Sequence, residues 1–189
     1  MWKVTRSKTS LKSQAGITMI ETLLAASILA IGSLGMIGIV IASIASNNRN
    51  KIDSTQTMLA SSIFEQINST VIGVGSSQLT DCANNPWTIN TQVPTSGVAG
   101  APLNGTAIDY TAAPVPGFYM NYVVSTPCEP VSSGGVVQGT YDVRWHIDAV
   151  GSPTTTSTYM LTVSAKLVNG GQGNKFFSTP ITLRVMSGN

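Results

Sequence analysis

The chain has 189 residues, enough for one or two domains with a modest core. Only 10% of the residues are charged, against about a quarter in an ordinary domain. The formal charge of +2 comes from the start of the chain: removing Lys3, Arg6, Lys8 and Lys12 from the 10 basic side chains leaves 6 against 8 acidic ones, a charge of −2, so a nucleic-acid role would rest on that segment alone and no nucleic-acid partner is evident.

In chain order, the first element is a basic leader, residues 1–16, ending in Gly16. From Ile17 to Ala45 the chain is almost wholly apolar or small, and Thr22 to Asn48 is a run of 27 residues without charge. About 20 such residues span a bilayer, so the run predicts a transmembrane helix. Four basic residues before it, against Arg49 and Lys51 after it, predict a cytoplasmic N-terminus and an exported remainder. A secretory signal has an apolar region of about 7–15 residues followed by a small-residue cleavage site, whereas this run is longer and starts after the small residue. An uncleaved signal anchor is the plain alternative. Such an anchor gives no reason for Glu21, the one charge between Lys12 and Arg49. An ionisable group in a membrane segment costs a few kcal/mol unless it finds a partner. If the chain is cut after Gly16, the new α-amino group of Ile17 lies four residues from Glu21, about 6 Å along a helix.

The leader K-S-Q-A-G followed by I-T-M-I-E-T-L-L-A-A resembles the class III signal of type IV prepilins and pseudopilins. Carried over by position, the resemblance implies cleavage between Gly16 and Ile17, N-methylation of Ile17, and an assembly role for the carboxylate of Glu21. Ile17 and Met19 stand where Phe and Leu are commoner in the family. The continuation L-A-I-G-S-L-G-M-I-G-I, from Leu29 to Ile39, is more similar to PilV-type minor pilins than to major pilins, which often carry Pro where this chain has Gly38. The resemblance covers about residues 8–70. It implies an α+β, pilin-like fold in which a long N-terminal helix packs on a C-terminal antiparallel β-sheet head. It also implies a prepilin peptidase, other major and minor pilins or pseudopilins, an inner-membrane assembly platform, and membrane lipid before assembly as partners. Its implied location is the inner membrane, with the head periplasmic, and then a pilus or pseudopilus.

Gly32, Ser33, Gly35 and Gly38 can let membrane helices approach closely, or can soften the helix they sit in. No Pro and no Gly occurs from Ala45 until Gly73, so the helix is predicted to continue through residues 49–72. Within it Ile52, Leu59, Ile63 and Ile67 form one stripe, with Gln56, Ser62 and Gln66 beside it, the spacing of a helix laid on a sheet. A helix from Ile17 to Ser69 would be about 80 Å long, and Val71 to Ser77 ends it.

Residues 73–189 form the exported head. Cys82 and Cys128 are its only cysteines, and an even number in an exported segment predicts a disulfide; free buried thiols are the alternative. Closing a loop of roughly 46 residues gives a chain-entropy stabilisation of at most about 4 kcal/mol. Residues 83–117, rich in Pro, Gly, Asn and Thr, predict a long connection with one or two short strands. Phe118 to Ser125 reads as a strand. Tyr141, Val143, Trp145 and Ile147 alternate with Asp142, Arg144, His146 and Asp148, the pattern of a half-buried strand. Tyr159 to Leu167 and Ile181 to Val185 repeat it, with a hairpin loop predicted at 169–174. Pro180 places the last strand's start or a sheet edge beside it. The expectation is an antiparallel sheet of about four strands.

His146 beside Asp142, Arg144 and Asp148 is a conceivable base or ligand, but a solvated polar strand face is the expected reading. One histidine makes no His-rich zinc site, and no nucleophile elbow, zincin or phosphate-loop sequence is present. No catalytic residue, metal or cofactor is expected. The glycines at 134–139 and 170–173 read as turns. Asn68-Ser69-Thr70 and Asn104-Gly105-Thr106 match a glycosylation sequon, a weak signal in a chain whose leader looks bacterial or archaeal. The function expected is a minor pilin or pseudopilin, a structural subunit that helps initiate assembly. The alternatives are an adhesin or substrate-binding head on the same anchor, or a type II secretion pseudopilin. A membrane-anchored enzyme lacks a catalytic constellation.

Overall fold

A computed structural model describes residues 18–70, 72, 75–151, 158–170 and 179–188. Gly16 and Ile17 lie outside them. One helix, α1, runs Met19–Ser69 without interruption. It begins where the Glu21 and Thr22 amides donate to the Thr18 carbonyl at 3.0 and 3.3 Å. It ends where the hydroxyls of Ser69 and Thr70 donate to the Gln66 carbonyl at 2.8 and 3.0 Å, satisfying a carbonyl the last turn leaves open.

The chain forms two compact units divided between Ser46 and Asn47. In the first, every described residue is exposed, and by length and composition the helix is apolar enough to cross a membrane. The hydroxyls of Thr22, Ser27 and Ser33 donate to carbonyls three residues back at 2.8–2.9 Å. That back-bonding lets hydroxyl residues sit in an apolar medium without an open donor. A Cβ added at Gly32, Gly35 or Gly38 would have open space around it.

In the second unit the rest of α1 buries Gln56, Leu59, Ala60, Ile63 and Ile67 against one face of an antiparallel sheet. The strands are β1 (Ser76–Thr80), β2 (Pro86–Asn90), β3 (Val98–Gly100), β4 (Leu103–Asn104), β5 (Ala107–Ile108), β6 (Tyr119–Thr126), β7 (Val136–Ala149), β8 (Thr158–Gly170) and β9 (Ile181–Gly188). The main sheet has five strands: β7 pairs β8, β8 pairs β9, and β6 and β3 share the other edge of β7. Period-two alternation puts Tyr141, Val143, Trp145 and Ile147 opposite Leu167, Ala165, Val163 and Leu161. The β7 residue is the larger of the pair at three of the four levels, and the layer is buried in one core with Leu59, Ile63 and Ile67. The architecture is the expected α+β arrangement, a long helix packed on a C-terminal antiparallel sheet.

The expected four strands become five because β3 comes from the segment read as a long connection, which holds β2, β3, β4 and β5 in place of one or two strands. β3 is only three residues long and carries no readable alternation. Its Gly100, at φ 110°, lies so close to β7 that a Cβ there would strike the Trp145 carbonyl. β9 starts directly after Pro180 and forms an edge, as Pro180 predicts. Most of the hairpin loop expected at 169–174 lies outside the described residues.

Candidate functional site

Two places gather the residues singled out by sequence. The first is the start of α1. Glu21 occupies its first turn, where unpaired backbone amides favour negative charge. Its side chain is exposed, and among the described residues no cation pairs with it. With Ile17 outside the described residues, the structure places only one half of the expected ammonium–carboxylate pair. The exposed apolar surface around it is continuous: Met19 is 81% exposed, Leu29 75% and Ile39 72%.

The second is the polar face of the sheet, and here the expected solvated face is corrected. Asp142, Arg144, His146, Thr162 and Ser164 are all buried, because residues 101–112 fold across them. The Arg144 guanidinium donates to both Asp142 carboxylate oxygens at 2.8–3.0 Å. It also donates to the backbone carbonyls of Ala112 at 2.8 Å and Asp109 at 3.3 Å, and lies 5.0 Å from the Tyr110 ring centroid, with the Lys166 ammonium 5.3 Å away. Burial pushes the Tyr110 phenol well above its ordinary value; a hydrogen bond with Ser164 opposes the rise, Asp142 adds to it by less, and Arg144 opposes it least. His146 lies with Nδ1 2.7 Å from the Ala101 carbonyl oxygen and Nε2 2.9 Å from Asp148 Oδ1. A carbonyl only accepts, so Nδ1 carries a proton toward it. Arg144 and His146 therefore hold the covering strap, whereas the Ser164 hydroxyl donates to the Ile181 carbonyl of β9 at 3.0 Å and the buried Thr162 hydroxyl has no hydrogen-bond partner among the described residues. None is aimed at open space where a substrate could sit.

Cys82 and Cys128 form a disulfide with Cα atoms 4.7 Å apart. The neighbouring Asp81 is an anchor that sequence reasoning missed. Its Oδ1 accepts the Ala83 and Asn85 amides at 2.9 and 2.8 Å; its Oδ2 accepts Asn85 Nδ2, Trp87 Nε1 and the Val123 amide at 2.9–3.3 Å. Burial works to raise this carboxyl, but the donors from Asn85, Trp87 and Val123 outweigh it and hold the group below its ordinary value. The run Asp81-Cys82-Ala83-Asn84-Asn85-Pro86 carried the signal, an Asx-type turn before a proline. Tyr110 gave no comparable signal, since a lone aromatic in a Pro/Gly-rich stretch has no periodicity.

Among the described residues no group of three or more His, Cys, Asp or Glu side chains could hold a metal ion. An open groove of about 590 Å³ is lined by Asn90, Gln92, Val93, Pro94, Gly100 and Phe118 among others, with no charged side chain. Asn90 and Gln92 bring side-chain amides to it, beside the largely buried Phe118. Compared with protein-family models, curated proteins and solved structures, the chain matches none.

Proposed function

We propose that this chain is a minor pilin or pseudopilin, a structural subunit of a type IV pilus or related filament that helps initiate its assembly. The observation that carries the reading is Glu21: a carboxylate in the first turn of α1, five residues past Gly16, heading a helix with no buried residue before Gln56. The basic leader keeps the N-terminus cytoplasmic while the head is exported. A prepilin peptidase cuts between Gly16 and Ile17 and methylates Ile17. The subunit then moves sideways from the inner membrane, through the assembly platform, into a bundle of other subunits' helices. There Glu21 meets the Ile17 ammonium of a neighbour, and each charge offsets the other's desolvation. The open space around Gly32, Gly35 and Gly38 supports close approach of a second helix at that level.

Glu21→Ala tests this. It is expected to leave the chain in the membrane while lowering its incorporation into sheared filaments at least about tenfold, since an unpaired charge in a buried pair costs about 3–5 kcal/mol. Normal incorporation would sink the proposal. A second reading, an adhesin or substrate-binding head on the same anchor, is favoured by the groove at Asn90, Gln92 and Phe118. Saturable glycan binding by the full chain in detergent, lost on Phe118→Ala, would support it.

A further inference from the structure

We propose that a cleft in the head, where α1 parts from the sheet, holds the headgroup of an anionic phospholipid from the membrane that seats the helix. The cleft is about 430 Å³, within the range of about 300–1,000 Å³ of small-molecule sites. Asn48, Lys51, Ile52 and Thr55 form its helical wall, spaced 3, 1 and 3 so that they share one helix face. Val137, Gln138 and Leu167 stand on the opposite wall.

Both walls mix apolar side chains with amides and hydroxyls, and the lining carries a single charge. Lys51 is the one charged residue of the lining, which carries no carboxylate. Its ammonium donates to Gln138 Oε1 at 2.8 Å in an exposed contact reaching from the helix to β7, which leaves two of its three donors available. Gln138 is itself held, its Nε2 donating to the Val136 carbonyl at 3.3 Å. In the same lining, Ile52 and Leu167 belong to or pack on the apolar core. One cation among apolar side chains is complementary to an anion that carries an apolar tail.

Position in the chain identifies the source of that anion. Asn48 is both the last residue of the 27-residue uncharged run and the first residue lining the cleft. Lys51 follows three positions later, about 4.5 Å along the helix axis. A helix seated in a bilayer by that run places Lys51 at headgroup level, where anionic lipids attract basic residues flanking the membrane. Arg49 lies beside it in sequence but outside the cleft, with its side chain 76% exposed and 4.0 Å from Asp53. It contributes charge without a cavity, which separates a built site from general attraction. The inference rests on the membrane seating given under Proposed function.

The full chain is reconstituted in vesicles and nanodiscs of phosphatidylcholine containing a fifth phosphatidylglycerol, and lipids that remain bound after release are identified by native mass spectrometry. Flotation with the vesicles reports insertion separately. The expected result is that phosphatidylglycerol is enriched at least threefold over its share of the bilayer. Lys51→Gln and Val137→Trp, the second filling the cleft without touching the charge, are expected to abolish that enrichment while the chain still floats. Arg49→Gln is expected to retain it. A chain that floats but shows no enrichment, or enrichment that survives both cleft variants, overturns the site alone. Loss with Arg49→Gln equal to that with Lys51→Gln overturns it too, showing surface attraction only. Displacement of the lipid by millimolar inorganic phosphate would show that the cleft reads the phosphate without the tail and would overturn the lipid assignment. A chain that does not float overturns the membrane seating and the site with it.

Discussion

At the scale of residues, Asp81 and Glu21 show how one side chain type serves opposite ends of the molecule. Asp81 is buried and accepts five N–H donors, so its charge is fully compensated where it sits. Glu21 is exposed and has no such set among the described residues, which is why its partner is sought on another chain. The consequence for Asp81 is a pH dependence of definite sign. Its folded carboxyl is held below the ordinary aspartate value of 3.8, so the unfolded chain binds the proton first as pH falls. The stability it contributes is complete above that value and is lost as pH drops below it through the lower folded value. Asp81→Asn is expected to lower stability at pH 7 and to flatten the loss as pH falls below the ordinary aspartate value, as measured by denaturant melts of the full chain in detergent. An unchanged acid limb would show that other carboxylates govern it.

At the scale of elements, the strap over residues 101–112 is the least expected part of the head. The alternation on β7 correctly assigned Tyr141, Val143, Trp145 and Ile147 to one face and Asp142, Arg144 and His146 to the other. Alternation alone reports polarity, and a polar face covered by another segment's carbonyls has the same pattern as one covered by water. The strap itself is held by Arg144, Tyr110 and His146 through backbone carbonyls, so its own residues needed no hydrophobic period. The helix was more legible. Leu59, Ile63 and Ile67 are buried as their spacing predicts, yet Gln56, set beside the stripe by its polarity, lies wholly within the core, while Ser62 stays exposed. Position on the helix decided burial there, and side-chain polarity did not.

The strap makes a prediction at its own level. Arg144 and Asp142 have side chains only 7% and 12% exposed, so Arg144→Met leaves a buried carboxylate without its partner, a loss of about 3–5 kcal/mol. Amide exchange of residues 101–112 is expected to quicken before that of Leu59 to Ile67, because Arg144 also holds the carbonyls of Asp109 and Ala112. Uniform acceleration across both segments would mean that strap and core open as one unit. An unchanged strap would mean that Tyr110 and His146 suffice to hold it.

At the scale of the whole molecule, two surfaces of opposite character lie on one chain. The head buries its apolar residues around Trp145, Val163 and Ile63, whereas from Met19 through Ile44 the large apolar side chains are all more than half exposed. Apolar patches beyond a few hundred Å² are rarely left to water, so this segment requires lipid, other helices, or each in turn. The proposed life of the subunit uses both: lipid before assembly, neighbouring helices after it. In that proposal cleavage at Gly16 is the step that joins them, because it would create the ammonium that Glu21 is proposed to pair with. The most direct test is therefore the mass of the N-terminal peptide from filament-associated protein. The account predicts a chain beginning at Ile17 with a methylated α-amino group; an intact chain beginning at Met1 in the filament would contradict it.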